Sequence, residues 1–390
     1  MRSMLIVAAG VCGVTIVNGG LAWARPPDWA DPNTYGTPVN LGSPLNSSAS
    51  EATPTLTGDE LTMTFTSGGP GLPARPGTRG PGALWVSTRV STQSPWTTPV
   101  RLDNLDTDGF DIDGSITADG LEIVFASGYP LNIWKSTRTR ADAPWPAPTI
   151  LPNSVNAPNC NNAHGCISAD GLSLIIHRHP LGASQGDLSM STRLTRAAPW
   201  PNVVALPPEI NGSTLCEVWP CLSTNGLTLL FARYTEGVFS TADIYVSTRD
   251  TPTSPWKQAV KLPSPVINQP GVADGSPWLS PDNQRLYFAS SRAGGLGSLD
   301  LWMVPILSRA DFDRDRDVDA DDLKVLVACS TGPSVSYDPA RLPAGCMVTP
   351  TGLIISPDFD GDLDVDQSDF GIFQRCWSGA GKPADPNCAD

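Results

Sequence analysis

Ser115-Ile116-Thr117-Ala118-Asp119-Gly120-Leu121-Glu122-Ile123-Val124-Phe125 reads as a strand, a tight turn and a strand. Apolar residues alternate on both sides of Asp119-Gly120, and Asp-Gly supplies the positive φ of a type I′ hairpin. The same unit recurs over residues 167–176 around Asp170-Gly171 and over 222–231 around Asn225-Gly226. Asp59-Glu60 and Asp282-Asn283 are degenerate copies of the turn.

Working outward, a tripeptide follows each of the first four hairpins. Ser-Thr-Arg starts at Ser87, Ser136, Ser191 and Ser247, and Pro-Trp comes after it at Trp96, Trp145, Trp200 and Trp256. A third strand carries an aromatic step at Trp85, Trp134, Tyr245 and Trp302, with Ser189 the exception. A short fourth strand reads Val39-Asn40-Leu41, Val100-Arg101-Leu102, Thr149-Ile150-Leu151, Val204-Ala205-Leu206 and Val260-Lys261-Leu262. Four strands in about 50–60 residues, with no helical stretch between, predict propeller blades. The expected fold is therefore mainly β, a five-bladed β-propeller over residues 25–305. Val39-Asn40-Leu41 precedes the first hairpin and the last blade lacks a fourth strand, so this strand should close the ring and remove its open edges. Arg89, Arg138, Arg193 and Arg249 are expected to cross-link neighbouring blades, with the Pro-Trp tryptophans packed between them. The repeats resemble the WD40-like propeller repeat of bacterial exported proteins, in which a Ser-Pro-Asp-Gly hairpin is typical. Ser280-Pro281-Asp282 is the nearest copy, and no Gly-His or Trp-Asp signature occurs.

Eight residues before each turn stands Glu51, Asp111, Asn162, Glu217 or Asp274. Four of the five are carboxylates, placed where the innermost strand should begin, near one mouth of the central channel. One reading is a ring that binds a cation or supplies an acid and a base. The other, preferred because the feature recurs with the fold, is that each side chain accepts local backbone hydrogen bonds where the chain joins the blade. The histidines are His164, His177 and His179, all in the third repeat, with no catalytic pattern around them.

Beyond the repeats an acidic loop is written twice. Asp311, Asp313, Asp315, Asp317, Asp319 and Asp322 match Asp358, Asp360, Asp362, Asp364, Asp366 and Asp369, at loop positions 1, 3, 5, 7, 9 and 12, with Val318 and Val365 both at position 8. This is the spacing by which an EF-hand loop wraps a hard cation, and it predicts two Ca²⁺ sites. Residues 323–328 and 370–374 should form short amphipathic helices leaving the loops. Neither loop has a comparable helix running in. Two half EF-hands with Asp at the closing position resemble the type I dockerin, the calcium-dependent plug that docks secreted proteins onto cohesin modules. The resemblance covers residues 311–390 and implies that these twelve aspartates are the ligands, Asp317 through its backbone carbonyl. It departs from the pattern at position 6, where Arg316 and Leu363 replace the usual Gly and should be forced to positive φ. The loops also begin 47 residues apart (358 − 311). A small α-helical dockerin-like module is thus expected over residues 306–390.

Residues 1–24 read as a signal peptide: Arg2, an apolar run over 4–17, and Ala22-Trp23-Ala24 as a cleavage site. Asn18-Gly19-Gly20 interrupts the run short of a bilayer span. Export into an oxidising space agrees with eight mature cysteines in two groups of four. The simplest connectivity is local: 160–166, 216–221, 329–346 and 376–388. From Asp311 onward, 16 acidic and 6 basic residues give −10 of the total −14, so the acidity belongs to the loops and not to the propeller. No basic cluster invites nucleic acid.

Two functions follow. The preferred expectation is a secreted, non-catalytic binding or scaffold protein, its propeller recognising a ligand such as carbohydrate and its C-terminal module docking to a cohesin-type partner. The alternative is an extracellular glycoside hydrolase active in polysaccharide degradation, with Glu51, Asp111, Glu217 and Asp274 as candidate channel acids.

Overall fold

The structure, a computed structural model, describes residues 29–389 apart from 70, 108, 184, 213, 236, 351, 352 and 387. The expected signal peptide lies outside the described residues. Five four-stranded antiparallel sheets follow one another along the chain. Blade 1 comprises Glu51–Leu56, Thr62–Gly68, Gly82–Thr88 and Val100–Arg101; blade 2, Ile112–Ile116, Glu122–Ser127, Asn132–Thr137 and Thr149–Ile150. Blade 3 comprises Cys160–Ile167, Ser173–Pro180, Asp187–Thr192 and Val204–Ala205; blade 4, Cys216–Leu222, Thr228–Thr235, Val238–Thr248 and Val260–Lys261. Blade 5 takes Asp274–Leu279, Arg285–Ser290 and Asp300–Pro305 and borrows its outer strand, Val39–Asn40, from the start of the chain. Val39 pairs with Met303 and Asn40 with Trp302. The first strands of successive blades contact one another, and the fifth contacts the first. The protein is a closed five-bladed β-propeller. A four-residue helix, Pro208–Asn211, interrupts the otherwise helix-free connections between blades.

The hairpin turns differ from expectation in one respect. Gly120 N donates to Thr117 O at 2.8 Å, and Gly120 has φ +69°, but Asp119 is not at positive φ. A type I′ turn needs positive φ at both central residues, so this is a turn followed by a glycine bulge. Glu60 and Asn283, both at φ +57°, take the glycine's place in blades 1 and 5.

The Ser-Thr-Arg and Pro-Trp repeats form a clasp. In blade 2, Ser136 Oγ donates to Pro146 O at 2.8 Å and Arg138 Nε to Gly120 O at 2.7 Å, while the guanidinium lies 4.1 Å above the Trp145 ring. Blades 1, 3 and 4 repeat this with Arg89 on Trp96, Arg193 on Trp200 and Arg249 on Trp256. The arginines therefore hold the turn and the tryptophan of their own blade, which corrects the expected cross-linking. Arg193 also reaches the neighbouring blade, at 2.5 Å from Glu122.

The mid-chain cysteines are also corrected. Cys160, Cys166, Cys216 and Cys221 are free and buried. Each expected pair lies along one extended strand, where ~3.3 Å per residue sets the Cα atoms roughly 16–20 Å apart, beyond the ~7 Å that a disulfide spans. Cys166 and Cys221 serve instead as acceptors between blades: their Sγ atoms take the N–H of Leu222 and of Leu279, each at 3.4 Å. Ser115 Oγ does the same for Ile167 N at 3.1 Å.

After Pro305 the chain forms two helices, Ala320–Cys329 and Gln367–Cys376, and two disulfides, Cys329–Cys346 and Cys376–Cys388. Both helices start three residues earlier than the apolar pattern suggested. Asp319 and Asp366 N-cap them, and Asp322 and Asp369 complete a capping box that ties two donors of the first turn. A small core of Val318, Leu326, Ile355, Val365 and Phe373 lies between them. No helix among the described residues is long and apolar enough to cross a membrane.

Candidate functional site

Two rings of side chains encircle the inner strands. The outer one is the acidic ring of the sequence. Glu51, Asp111, Asn162, Glu217 and Asp274 are all fully buried. Glu51 accepts from Ser47 N (3.0 Å) and Ser47 Oγ (2.6 Å), Asp111 from Thr107 N (2.7 Å), and Asp274 from Gln269 N (2.7 Å) and Ser290 Oγ (2.5 Å). Asn162 both accepts from Ala157 N and donates to Ala157 O. Four of the five also meet an arginine that the repeat pattern did not reveal: Arg75 with Glu51, Arg178 with Asn162, Arg233 with Glu217 and Arg292 with Asp274. Burial pushes the Asp274 carboxyl up, while Arg292 and the local donors pull it down. None of the five lines the channel. They hold the loop before each inner strand.

The second ring lies two residues further on. Thr53, Asp113, His164, Trp219 and Ser276 have φ of +51°, +59°, +50°, +49° and +52°. At each, the pairing of first and second strand is interrupted by a bulge, so that two inner-strand residues face one residue of the partner strand. Positive φ at a non-glycine residue is strained, and five such residues in register around one axis are a reservoir of strain at a single place. The bulges turn these side chains towards the channel, which all five line. The repeats specify the backbone here but not the chemistry: the five residues are all different.

Asp113 and His164 meet across the gap between blades 2 and 3, with Oδ2 and Nδ1 2.8 Å apart. The Asp113 side chain is 7 % exposed and that of His164 17 %. Despite the short separation, the contact lacks hydrogen-bond alignment, and neither atom has another hydrogen-bond partner. Asp113 N donates to Thr66 Oγ1 at 2.9 Å, and Thr66 Oγ1 in turn lies 2.7 Å from Thr53 Oγ1, which fixes the bulge of blade 2 against blade 1. His177 stands beside His164, with ring centroids 5.4 Å apart. Its Nδ1 lies 2.8 Å from Glu217 O; burial, then the neighbouring His164, push its pKa down to about 3, so it is neutral and donates that bond. Trp219 meets His164 edge-on at 5.1 Å and packs with Tyr234 and Phe239. Gly275 lies under the Trp219 ring, where a Cβ would fall 2.9 Å from Cε3. The space at the centre of the channel is about 60 Å³, enough for a few waters.

Sequence reasoning placed the candidate acids two residues away from this site and found no catalytic setting for His164. The signal was nevertheless present: aligned on the acidic ring, each bulge residue is followed by Pro or Gly (Pro54, Gly114, Gly165, Pro220, Pro277).

The acidic loops gather their carboxylates. Oxygens of Asp311, Asp313 and Asp315 lie within 4.8 Å of one another, as do those of Asp317, Asp319 and Asp322, of Asp358, Asp360 and Asp369, and of Asp364, Asp366 and Asp369. Asp362 accepts from Asp364 N within the second loop. Burial and neighbouring carboxylates push Asp311 up to about 7, and burial above all pushes Asp322 up to about 6. Arg316 and Leu363 have φ of +85° and +74°, as position 6 requires. The side chains at position 7 turn outwards, Asp317 to Gly381 N and Asp364 to Ser334 N, which leaves their carbonyls to the loop.

No family model and no curated protein matches the sequence. Among solved structures, the chain is similar to a thermostable family-43 glycoside hydrolase (10% identity, TM-score 0.46, 67% of this chain and 91% of that one). It is also similar to an α-L-arabinofuranosidase from Podospora anserina in complex with cellotriose (14%, 0.43, 70% and 96%). A third is TolB from Acinetobacter baumannii (13%, 0.40, 66% and 54%). At such identities the likeness concerns the propeller and leaves the chemistry open. The expectation of a non-catalytic scaffold is nevertheless corrected. That expectation rested on a symmetric ring, whereas the five bulge residues that line the channel are unequal and bring Asp113 and His164 together.

Proposed function

We propose that the propeller is a glycoside hydrolase acting on polysaccharide, with Asp113 and His164 as its acid–base unit. The observation that carries this reading is the Asp113–His164 pair: two buried, unsatisfied polar atoms on strained bulges at the channel. Strain and unmet polar groups cost stability and persist where the surrounding fold over-determines them for use. At 2.8 Å the two groups are too close to flank a glycosidic bond from opposite faces, which takes about 5–9.5 Å. They act together: His164 takes the proton of a water whose oxygen bonds the anomeric carbon, the Asp113 carboxylate offsets the charge of the imidazolium so formed, and as the glycosidic C–O bond breaks the departing oxygen takes its proton from solvent at the mouth. Asp113 is the one carboxylate among the described residues lining the channel. The small central space keeps a sugar chain at the mouth, beside the aromatic face of Trp219, Tyr234 and Phe239. The test is a screen of the full chain on plant and microbial polysaccharides, reading new reducing ends. Cleavage that disappears in Asp113→Asn supports the reading. No cleavage of any substrate, or cleavage that Asp113→Asn leaves intact, overturns it.

The acidic loops, on the same footing, are Ca²⁺ sites of a dockerin-like module that docks a secreted chain to a cohesin-type partner. The twelve aspartates supply hard oxygen donors in the alternate order such a cation takes. Support comes from the grouped carboxylates and the outward turn of Asp317 and Asp364. Titration calorimetry of the full chain should show two sites, with Asp313→Ala and Asp360→Ala each removing one. Absence of binding at ~1 mM Ca²⁺ excludes the reading.

A further inference from the structure

Arg314 stands at position 4 of the first acidic loop, between Asp313 and Asp315, at φ +67°. The matching residue of the second loop is Gly361, at φ +78°. A left-handed backbone suits glycine and strains arginine, so the first loop keeps a side chain where its twin has none. That side chain reaches the propeller. Nη1 donates to Asn33 Oδ1 at 2.9 Å and Nη2 to the carbonyl of Tyr35. Both partners belong to the seam where the ring closes. Asn33 N donates to Asp31 Oδ1 at 2.8 Å; Tyr35 is fully buried, bridges to Ile306 and donates its hydroxyl to Trp29 O at 3.0 Å. Gly36 N to Pro305 O (2.9 Å) and Leu307 N to Thr34 O (2.8 Å) lead directly to the closing strand Val39–Asn40.

We infer that Arg314 is a latch through which a cation in the first loop tightens the closure of the propeller; this rests on the calcium reading above. The sign follows from charge. Bare carboxylates at Asp313 and Asp315 pull on the guanidinium, which stands on Asn33 and Tyr35, and so weaken that contact. A bound dication takes those oxygens, repels the guanidinium and fixes the loop backbone, so the contact of Arg314 with Asn33 and Tyr35 is held more tightly. The second loop, with Gly361, has no such connection, so the two sites differ: one serves its own module, the other also serves the ring.

The experiment is thermal unfolding of the full chain with Ca²⁺ and with EGTA, read by the near-UV signal of the blade tryptophans, alongside Ca²⁺ titration calorimetry. Ca²⁺ should raise the blade transition by roughly 2–4 °C, the scale of one good interaction in a domain of this size. Arg314→Ala and Asn33→Ala should each abolish that rise while two sites still titrate. Two variants on opposite sides of the contact guard against a folding defect in either. A full rise in both variants, or no rise in the parent while two sites titrate, overturns the latch. If no Ca²⁺ titrates into the parent, the calcium reading itself fails and the latch falls with it.

Discussion

The two rings of the propeller lie two residues apart on the same five strands and obey opposite rules. In the outer ring the residue type is nearly constant and most of its polar groups are engaged: Glu51, Asp111, Asn162, Glu217 and Asp274 are buried among local donors, four of them beside an arginine. In the inner ring the backbone is constant and the side chains are not: Thr53, Asp113, His164, Trp219 and Ser276 share one strained conformation and differ in chemistry. A requirement of the fold is met the same way in each blade. A reaction needs one unequal pair, so a site for chemistry shows up as variation on a repeated scaffold.

The comparison breaks if substitutions in the two rings have the same effect. Asp113→Asn and His164→Ala should each lower turnover by about 10²–10⁴-fold, the range for loss of acid–base catalysis, and leave the melting temperature in place. Steady-state kinetics with calorimetry on the same samples check this. Glu217→Gln and Asp274→Asn should do the reverse. Each leaves a buried arginine, Arg233 or Arg292, without its counter-charge, at a cost of about 2–3 kcal/mol in denaturant unfolding. Turnover at saturating substrate should persist.

A smaller effect sharpens the comparison at the one irregular blade. Before four of the inner strands an asparagine ties the preceding blade: Asn46, Asn156, Asn211 and Asn268 bond the backbone of Leu301, Ile133, Leu188 and Ile244. Asp106 takes that place before blade 2, beside Asp111. Burial first, then the neighbouring Asp111 carboxyl, raise its carboxyl from 3.8 to about 6, against the pull of Arg101. Asp106 thus holds a proton more tightly folded than unfolded. Its ionisation lowers stability as pH rises from about 4 to about 6, and the loss is complete above 6. Asp106→Asn should therefore stabilise the fold at pH 7 by about 1 kcal/mol, the worth of a typical hydrogen bond. The gain should shrink as pH falls through 6. A gain independent of pH would deny the raised carboxyl. The smallest effect is expected at Ser276→Gly, which relieves positive φ where no chemistry is assigned. It should add about 0.5–1 kcal/mol, by the preference of glycine for this region.

Much of the fold was legible because a blade is a local object. Asp119-Gly120 and its copies, the Ser-Thr-Arg clasp and the Val-x-Leu strands repeat within one blade length, so their period could be counted. Even the closing strand Val39–Asn40 followed from an unmatched fourth strand. The errors came where distance in space mattered more than distance in sequence. Cys160 and Cys166 are six residues apart and were paired on that ground; an extended strand separates them, and Cys166 faces the next blade instead. Arg89 and its counterparts were assigned to neighbouring blades, yet each bends back to the turn of its own, and Arg193 also makes the expected reach, to Glu122 of blade 2.

By itself the sequence determined the strand count, the five-fold closure and the alternating carboxylates of the two acidic loops, since all are set by spacing along the chain. Only the tertiary structure decided the site. Asp113 and His164 are 51 residues apart (164 − 113) and belong to different blades. They meet because each inner strand bulges at the same height and turns one strained residue to a common axis. No local pattern encodes that meeting, since it depends on the angle between neighbouring sheets.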